Sequence, residues 1–248
     1  MKAEGPERKL SFIGHLDELR YRILICLAAV IAGTIAAFSW AGAVIQWLKV
    51  PAGALLPELV FLSPAEAFIA YLKVALVTGL TGVMPVLLYQ VWAFVQPGLA
   101  DRERRYGAYF VAWGSLLFLI GIAFAYTVLL PAALRFLLGF GSEELVPMIT
   151  VDQYLGFVTA VLTASGFVFE LPLVVFFLTK IRILHPELLR RQWRSAVVIM
   201  ALVTAVLTPT PDIMNMLLIL VPMLVLYEIS IWVSWLAVRD RPKETDAI

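Results

Sequence analysis

Long apolar stretches separated by short charged segments make up most of this chain. A membrane-spanning helix needs about 20 mostly apolar residues, and six stretches approach or exceed that length. The spans that this pattern predicts are residues 23–40, 67–95, 106–130, 154–179, 195–208 and 213–238. The predicted fold is therefore an all-α, polytopic membrane protein, in which residues 1–248 form a single domain with six transmembrane helices.

The fifth predicted span is short, and prolines lie inside several of the others. Only fourteen residues, 195–208, precede the turn that begins at Pro209, and at about 1.5 Å per residue they extend about 21 Å. The hydrocarbon core is about 30 Å thick, so either the bilayer thins beside this helix or neighbouring helices shield its end. Pro85, Pro172 and Pro222 lie inside apolar runs and can bend their helices. Helices bent in this way favour a concave bundle.

The distribution of charge orients the predicted helices. The chain is 62% hydrophobic and 15% charged, whereas soluble domains carry about 25% charged residues. Of its 19 Lys and Arg residues, 16 lie in the N-terminal segment, the loops after the second and fourth spans, and the C-terminal tail. Only Lys49, Lys73 and Arg135 lie on the opposite side. Because positive residues concentrate on the cytoplasmic side of a membrane, both termini are predicted to be cytoplasmic.

The segment before the first span has the pattern of an amphipathic helix. Over residues 9–22, apolar residues recur every three or four positions and polar residues occupy the other face. This pattern predicts a helix that lies at the membrane surface and leads into the first span. Its apolar face consists of Phe12, Leu16, Leu19 and Ile23, and its polar face of Ser11, His15, Glu18 and Arg22.

One acid lies in the middle of an apolar span, in the stretch "GFVFELPLVVFF". Thr159, Thr163, Gly166 and Glu170 are spaced by four, three and four residues, so they share one face of a helix. A charged acid at the bilayer centre costs at least about 2.5 kcal/mol, so Glu170 is expected to be protonated, paired or hydrated. The functional interpretation is a contact for a partner helix or a transported segment, and the alternative is an acid hydrogen-bonded inside the bundle.

Two further polar features have competing interpretations. The stretch "YQVWAFVQPGLADRERRY" leaves the second span at a Pro-Gly turn and carries two acids and three arginines. Such a loop is either a solvated segment whose positive charge fixes the topology or a binding surface. Glu228, in the sixth span, is compatible both with a structural bond inside the bundle and with a functional role.

Other classes of function fit these residues less well. A proton-coupled secondary transporter of a small solute could use Glu170 as its protonation site, but no internal sequence repeat is visible. A zinc protease is excluded because His15 and His185 lack the HExxH spacing. The chain has no Walker motif, and nothing in the sequence predicts a catalytic, metal, cofactor or nucleic-acid site.

Four motifs together resemble one family. They are "HLDELRYRI" at residues 15–23, "LYQVWAFVQPGLADRERR" at 88–105, "FVFELPLVVFFL" at 167–178 and "LTPTPD" at 207–212. By these motifs the chain resembles TatC, the multispanning subunit of the twin-arginine protein translocase, in the same order and along nearly its whole length. The resemblance implies six helices, cytoplasmic termini and a cupped shape, in the inner (plasma) membrane of the cell.

The resemblance also implies a function and its residues. Glu18 and Glu103 would receive the paired arginines of signal peptides on folded proteins that are exported. The same recognition surface would include Phe94, Arg20, Arg104 and Arg105. Transport would be driven by the proton-motive force, without enzymatic catalysis.

Within the membrane, the resemblance implies contacts with other helices. Glu170, with Thr163 and Gly166, would contact a single-span partner of the TatA or TatB type. Self-association in a receptor complex and contact with membrane lipid are also expected. The family often has a polar residue, commonly glutamine, shortly after the turn before the sixth span. Here Asn215 or Met216 occupies that region, and either of them can correspond to the polar residue of the family.

Overall fold

The structure is a computed structural model, and it describes residues 12–55, 59–99, 104–139, 148–181, 183–207 and 213–239. Several predicted features lie outside these residues: Glu103, the turn that begins at Pro209, and the charged C-terminal tail. The side chain of Asn215 is also outside the description, whereas Met216 packs against the main hydrophobic core.

The described residues fold almost entirely into α-helices, which confirms the predicted all-α class. The helices are α1 (Phe12–Phe38), α2 (Ala41–Lys49), α3 (Pro64–Val95), α4 (Gly107–Phe124), α5 (Leu130–Gly139), α6 (Val151–Phe169), α7 (Leu171–Lys180), α8 (Pro186–Arg191), α9 (Trp193–Leu207) and α10 (Ile213–Arg239). Short 3-10 turns follow α2 and α3. The extended pairing within the described residues is a single parallel bridge between Val60 and Thr150.

Among the residues that the structure describes, five stretches of helix are long and apolar enough to cross a membrane, so the chain is a multi-pass membrane protein. They are Gly14–Phe38, Pro64–Gly98, Gly107–Gly139, Val151–Lys180 and Met216–Val238. The predicted fifth span corresponds to α9, an apolar helix of 15 residues. At about 1.5 Å per residue, α9 is shorter than a hydrocarbon core of about 30 Å. Its shortness agrees with the sequence pattern.

The first helix differs from its predicted boundaries. The amphipathic segment over residues 9–22 is predicted to lie at the membrane surface and to lead into the first span. From Phe12, where the described residues begin, α1 continues without a break to Phe38. No Gly or Pro occurs between His15 and Ala32, so nothing in the local sequence interrupts the backbone hydrogen bonds at residue 22. The polar face with Glu18 therefore stands directly on the first spanning helix.

The third span is longer than the predicted residues 106–130. After α4, residues Ala125–Leu129 form a widened, π-helical turn, and α5 continues the helix to Gly139. The widened turn lies just before Pro131, whose ring would collide with the carbonyl group of Thr127 in a regular helix. The apolar segment after residue 130 therefore continues the helix of the third span.

The fourth span is divided near its middle, close to the proline that is predicted to bend it. Helix α6 ends at Phe169 and α7 begins at Leu171, with Pro172 in the first turn of α7. At the junction, the backbone N–H of Glu170 donates to the carbonyl oxygen of Phe167 at 3.1 Å. Pro85 and Pro222, in contrast, lie inside uninterrupted helices.

The main core surrounds α6, whose Leu155 and Val158 are fully buried. In the most apolar 18-residue segment of the fourth span, 50% is buried inside the protein. The corresponding share for the first span is 6%. Helix α1 is therefore peripheral, and it is attached mainly to α3. Gly33 and Gly79 allow this attachment, because a Cβ on Gly79 would lie 2.5 Å from the carbonyl carbon of Gly33.

We expect Gly79→Leu to separate α1 from α3 and to destabilise the protein by more than about 3 kcal/mol, because the obstructing atoms belong to the backbone and cannot repack. Gly82→Leu is the matched control, since a Cβ on Gly82 meets nothing within 4 Å. Thermal unfolding of both variants in the same detergent measures the difference. Equal melting temperatures would contradict the close contact between the two backbones.

Candidate functional site

The first residues of α1 pack against the last residues of α3. We call this part of the molecule the N-terminal end of the bundle. The His15 and Phe94 rings stack there, with centroids 4.4 Å apart and planes inclined by 20°. The pairs Arg22–Gln90 and Gly33–Gly79 follow along the two helices. Residue numbers rise along α1 while the residue numbers of its contacts on α3 fall, so the two helices are antiparallel.

Glu18 is the central acid of this end. Its side chain is 21% exposed, so it is accessible but partly shielded from water. One carboxylate oxygen, Oε1, accepts a hydrogen bond from Nε of Arg22 at 3.1 Å and a closer one from Nη2 of the same guanidinium. The other oxygen, Oε2, lies 3.9 Å from Nδ1 of His15.

Arg22 also reaches across to α3. Its third nitrogen, Nη1, donates to Oε1 of Gln90 at 3.2 Å. Gln90 is only 9% exposed, so the amide is held inside the bundle and faces the guanidinium. A continuous polar chain therefore runs from Gln90 through Arg22 to Glu18, and His15 connects that carboxylate to the aromatic ring of Phe94.

Three aromatic rings form a rigid base close to this polar chain. Trp92 of α3 contacts Phe110 of α4 and Phe177 of α7, with centroid distances of 5.4 and 4.7 Å. Gly107 makes room for the indole, because a Cβ there would lie 2.3 Å from Nε1 of Trp92. The end of α3, which carries Gln90 and Phe94, is thereby fixed against α4 and α7.

The structure brings together some of the predicted recognition residues and leaves others apart. Glu18 and Phe94 share His15 as a neighbour, and Arg20 is exposed on α1. Arg104 donates from Nε to the carbonyl oxygen of Leu99 at 3.3 Å. Arg105 lies 5.9 Å from the ring centre of Tyr106. Glu103 is outside the described residues.

Sequence reasoning missed the roles of three residues at this end. Arg22 and His15 were placed on the polar face of α1 with Glu18, but no contact with the carboxylate was assigned to them. Gln90 was not singled out, although a lone amide in the apolar run "VLLYQVWAF" is a signal of a buried polar contact.

Glu170 forms a second candidate site at the break between α6 and α7. Its side chain is 6% exposed, and a Cβ on Gly114 would lie 3.2 Å from Oε2, so the carboxyl group faces α4. Among the described residues, neither carboxylate oxygen has a hydrogen-bond partner, and neither does the buried hydroxyl of Thr163. Buried polar atoms without partners are uncommon in folded proteins, so this region is chemically incomplete within the chain.

The rest of the predicted small-residue face also packs inside the chain. A Cβ on Gly166 would lie 2.6 Å from a ring carbon of Phe118, so α4 covers this part of α6. Ser165 donates to the carbonyl oxygen of Gly121 at 2.9 Å and ties the same two helices together. The face that carries Thr163 and Glu170 therefore points away from lipid.

An apolar groove of about 750 Å³ lies beside Glu170, on the outer side of α4, α7 and α10. Leu173 lines this groove, and its methyl group also contacts the position of Gly114 next to the Glu170 carboxylate. The groove is lined by Tyr106, Tyr109, Trp113, Leu117, Ile120, Phe169, Pro172, Leu173, Phe176, Leu226, Ile229 and Val233.

Glu228 has a partner within the chain. Its Oε2 accepts a hydrogen bond from Nη1 of Arg190 at 3.2 Å, and the hydroxyl of neighbouring Tyr227 donates to the carbonyl oxygen of Leu189 at 2.9 Å. These two contacts attach the short helix α8 to α10. The structural interpretation of Glu228 therefore has direct support.

The opposite end of the bundle is closed by polar contacts. Nζ of Lys73 lies 2.6 Å from Oδ1 of Asp152, and the backbone N–H of Asp152 donates to Glu66 at 3.2 Å. The hydroxyl of Tyr154 donates to the carbonyl oxygen of Leu48 at 2.8 Å. These contacts connect α2, α3 and α6. Within the described residues, no group of His, Cys, Asp and Glu has the arrangement of a metal site.

We expect the Lys73–Asp152 pair to contribute only about 0.2–1 kcal/mol, because both side chains are more than one third exposed and solvent screens the attraction. A double-mutant cycle with Lys73→Ala and Asp152→Ala, measured by unfolding, gives the coupling free energy. A coupling well above this range would show that the lipid surroundings shield the pair from water.

Comparisons with known proteins agree with this architecture. The model of the family described as Sec-independent protein translocase protein (TatC) matches residues 14–222. The Sec-independent protein translocase protein TatC of Carboxydothermus hydrogenoformans is 37% identical over 228 residues, which cover 92% of this chain and 94% of that protein. The protein of the same name from Aquifex aeolicus is 38% identical over 231 residues, or 92% of this chain and 95% of that protein.

A solved structure has the same fold. The crystal structure of a twin arginine translocase receptor, TatC, has a TM-score of 0.82 and 38% identity to this chain, and it covers 91% of this chain and 100% of its own. The likeness in sequence and in structure thus extends over nine tenths of the molecule. This chain belongs to the TatC family of Sec-independent protein translocase proteins.

Proposed function

We propose that this chain is the core subunit of a twin-arginine translocase and that it binds the paired arginines of signal peptides on folded proteins at the N-terminal end of the bundle. The observation that carries the proposal is the environment of Glu18. Its carboxylate already holds a guanidinium, that of Arg22, at a partly exposed position beside His15 and Phe94. A carboxylate that already binds one guanidinium supports the assignment of this position to an arginine ligand.

The chemistry of arginine explains why a pair of arginines would be recognised. The guanidinium is always charged and donates two parallel hydrogen bonds to one carboxylate, whereas lysine offers a single strongly hydrated charge. Glu18 supplies one carboxylate and Glu103, in the loop before Arg104, supplies the second. Phe94 provides an apolar surface for the residues that flank the arginines.

The cationic residues of the surface have a different role in this proposal. Arg104 is directed to the backbone of Leu99 and Arg105 to the ring of Tyr106. Because both side chains have contacts within the chain, they are not proposed to bind the peptide arginines. Arg20 is exposed on α1, where it would contact the acidic or polar residues of a signal peptide rather than its arginines.

The proposed orientation places this surface in the cytoplasm. Of the 19 Lys and Arg residues, 16 lie in the termini and in the loops that share their side, and such an excess marks the cytoplasmic side. Both termini are then cytoplasmic, and the chain lies in the inner (plasma) membrane. The contacts between Lys73, Asp152 and Glu66 would face the exterior.

For the transport step, we propose that single-span subunits of the TatA or TatB type dock near Glu170. The buried carboxyl group and the Thr163 hydroxyl, neither of which has a partner among the described residues, are suited to a polar residue on an incoming helix. Gly166, which was also predicted to take part, is covered by Phe118 of α4 and is not included in this proposed contact. The apolar groove that Leu173 lines provides a surface against which such a helix would pack. Self-association and the proton-motive force complete the proposed mechanism, which includes no enzymatic step.

A binding experiment tests the proposed recognition. The full-length protein in lipid nanodiscs is titrated with two fluorescent signal peptides that differ only in an Arg-Arg or a Lys-Lys pair. We expect the Arg-Arg peptide to bind at least about tenfold more tightly, a difference of about 1.4 kcal/mol. Equal affinities for the two peptides would refute recognition through guanidinium groups.

A further inference from the structure

We propose that Arg22 is an internal competitor that occupies Glu18 until an arginine of the signal peptide displaces it, and that this competition sets the selectivity for arginine over lysine. The proposal rests on the proposed function of Glu18 and adds to it a specificity-determining residue. Arg22 is not itself a contact for the peptide arginines in this view. Its hydrogen bonds to Glu18 set the strength of binding that a ligand must exceed to displace it.

The contacts of Arg22 show how the site is occupied. Nε and Nη2 both donate to the same oxygen, Oε1 of Glu18, so two hydrogen bonds from one guanidinium already hold the carboxylate before any ligand arrives. The second oxygen, Oε2, is directed to the side of His15, with Nδ1 at 3.9 Å. An incoming cation can approach Oε2 first, and it then competes with Arg22 for the carboxylate.

The competition favours an arginine ligand on physical grounds. Arg22 is four residues from Glu18 on the same helix, so its effective concentration at the carboxylate is high. A lysine ammonium offers a point charge without the planar fork and loses more hydration when it binds. It therefore cannot replace the two bonds that Arg22 makes, whereas a guanidinium reproduces both of them.

Gln90 makes the displacement feasible. Nη1 of Arg22 already donates to the nearly buried Oε1 of Gln90 at 3.2 Å. When Glu18 turns to the ligand, Arg22 keeps this acceptor, so its guanidinium is not left without a partner in a partly buried position. Removing one partner of a buried polar pair costs about 1–3 kcal/mol, and Gln90 avoids that cost.

The test compares two peptides on three proteins in nanodiscs: the wild type, Arg22→Gln and Arg191→Gln. Arg191 is an exposed arginine at the end of α8, and its variant controls for the loss of one positive charge. We expect Arg22→Gln to raise the affinity for the Lys-Lys peptide about tenfold and to change the affinity for the Arg-Arg peptide much less. The ratio of the two affinities falls, and in Arg191→Gln it stays at the wild-type value.

A second variant separates competition from simple positioning. Gln90→Leu removes the acceptor that holds the displaced Arg22, so the Arg-Arg affinity is expected to fall several-fold. In the double variant Arg22→Gln/Gln90→Leu, no guanidinium has to be displaced, and the affinity recovers. Circular dichroism and size-exclusion profiles that match the wild type establish that each variant is folded.

The outcomes distinguish this inference from the proposed function. If the wild type shows no preference for the Arg-Arg peptide, the proposed function fails and the role of Arg22 fails with it. If the wild type shows the preference but Arg22→Gln weakens both peptides equally, Arg22 only orients Glu18 and the competition is refuted. Failure of the double variant to recover the affinity refutes it as well.

Discussion

Glu18→Gln is expected to abolish export of a folded reporter protein that carries a twin-arginine leader. The substitution keeps the size of the side chain but removes the charge that a guanidinium needs, so the two-pronged bond becomes a weaker neutral contact. We expect export to fall at least about tenfold, which corresponds to a loss of about 1.4 kcal/mol or more in binding. Fractionation of cells and an assay of the exported reporter measure this effect.

Asp17→Asn is the matched control for this prediction. Asp17 is the adjacent acid on α1 and is exposed, so its variant removes the same charge from the same helix and the same end of the bundle. We expect export in this variant to remain close to the wild-type level. If both variants lose export equally, the effect comes from the general negative charge of the surface and not from a specific carboxylate.

Glu170→Ala is expected to prevent stable assembly with a single-span partner while signal-peptide binding is retained. The carboxyl group is buried without a partner among the described residues, so its removal breaks no hydrogen bond in this chain that would hold the fold together. It does remove a polar group that a partner helix could bind in the membrane, where such bonds contribute about 0.6–2 kcal/mol. Copurification of a tagged single-span subunit measures the assembly, and peptide titration measures the binding.

Ser165→Ala is a control at the same helix contact. Ser165 is buried between α6 and α4 and donates to the carbonyl oxygen of Gly121, so its loss disturbs the packing without touching the acid. We expect a modest loss of stability, about 1 kcal/mol, and normal assembly.

Loss of peptide binding or of folding in Glu170→Ala would assign the acid a structural role. Proton-coupled uptake of a small solute into vesicles would instead favour a transporter.

The helical plan of this protein follows from its sequence because it depends on local and periodic properties. Long apolar runs predict spanning helices because unpaired backbone groups are costly in lipid, and each predicted span overlaps a helix of the structure. Pro172 predicts a bend in the fourth span because proline has no N–H to donate the regular backbone hydrogen bond, and the structure divides that span into two helices at residue 170. The predicted boundaries differ from the structure in two places. Helix α1 begins before the apolar run that starts at residue 23, and the helix of the third span continues beyond residue 130.

The sequence by itself determined which residues are chemically unusual: an acid in the amphipathic segment, an acid inside a span, and the cations that are concentrated on one side. Only the tertiary structure decided their partners. The close approach of Gly33 and Gly79 sets the register in which Arg22 meets Gln90, and the packing of α4 on α6 covers Glu170. The reason is physical: helix periodicity needs only neighbouring residues, whereas a hydrogen bond between residues 68 positions apart depends on the packing of whole helices.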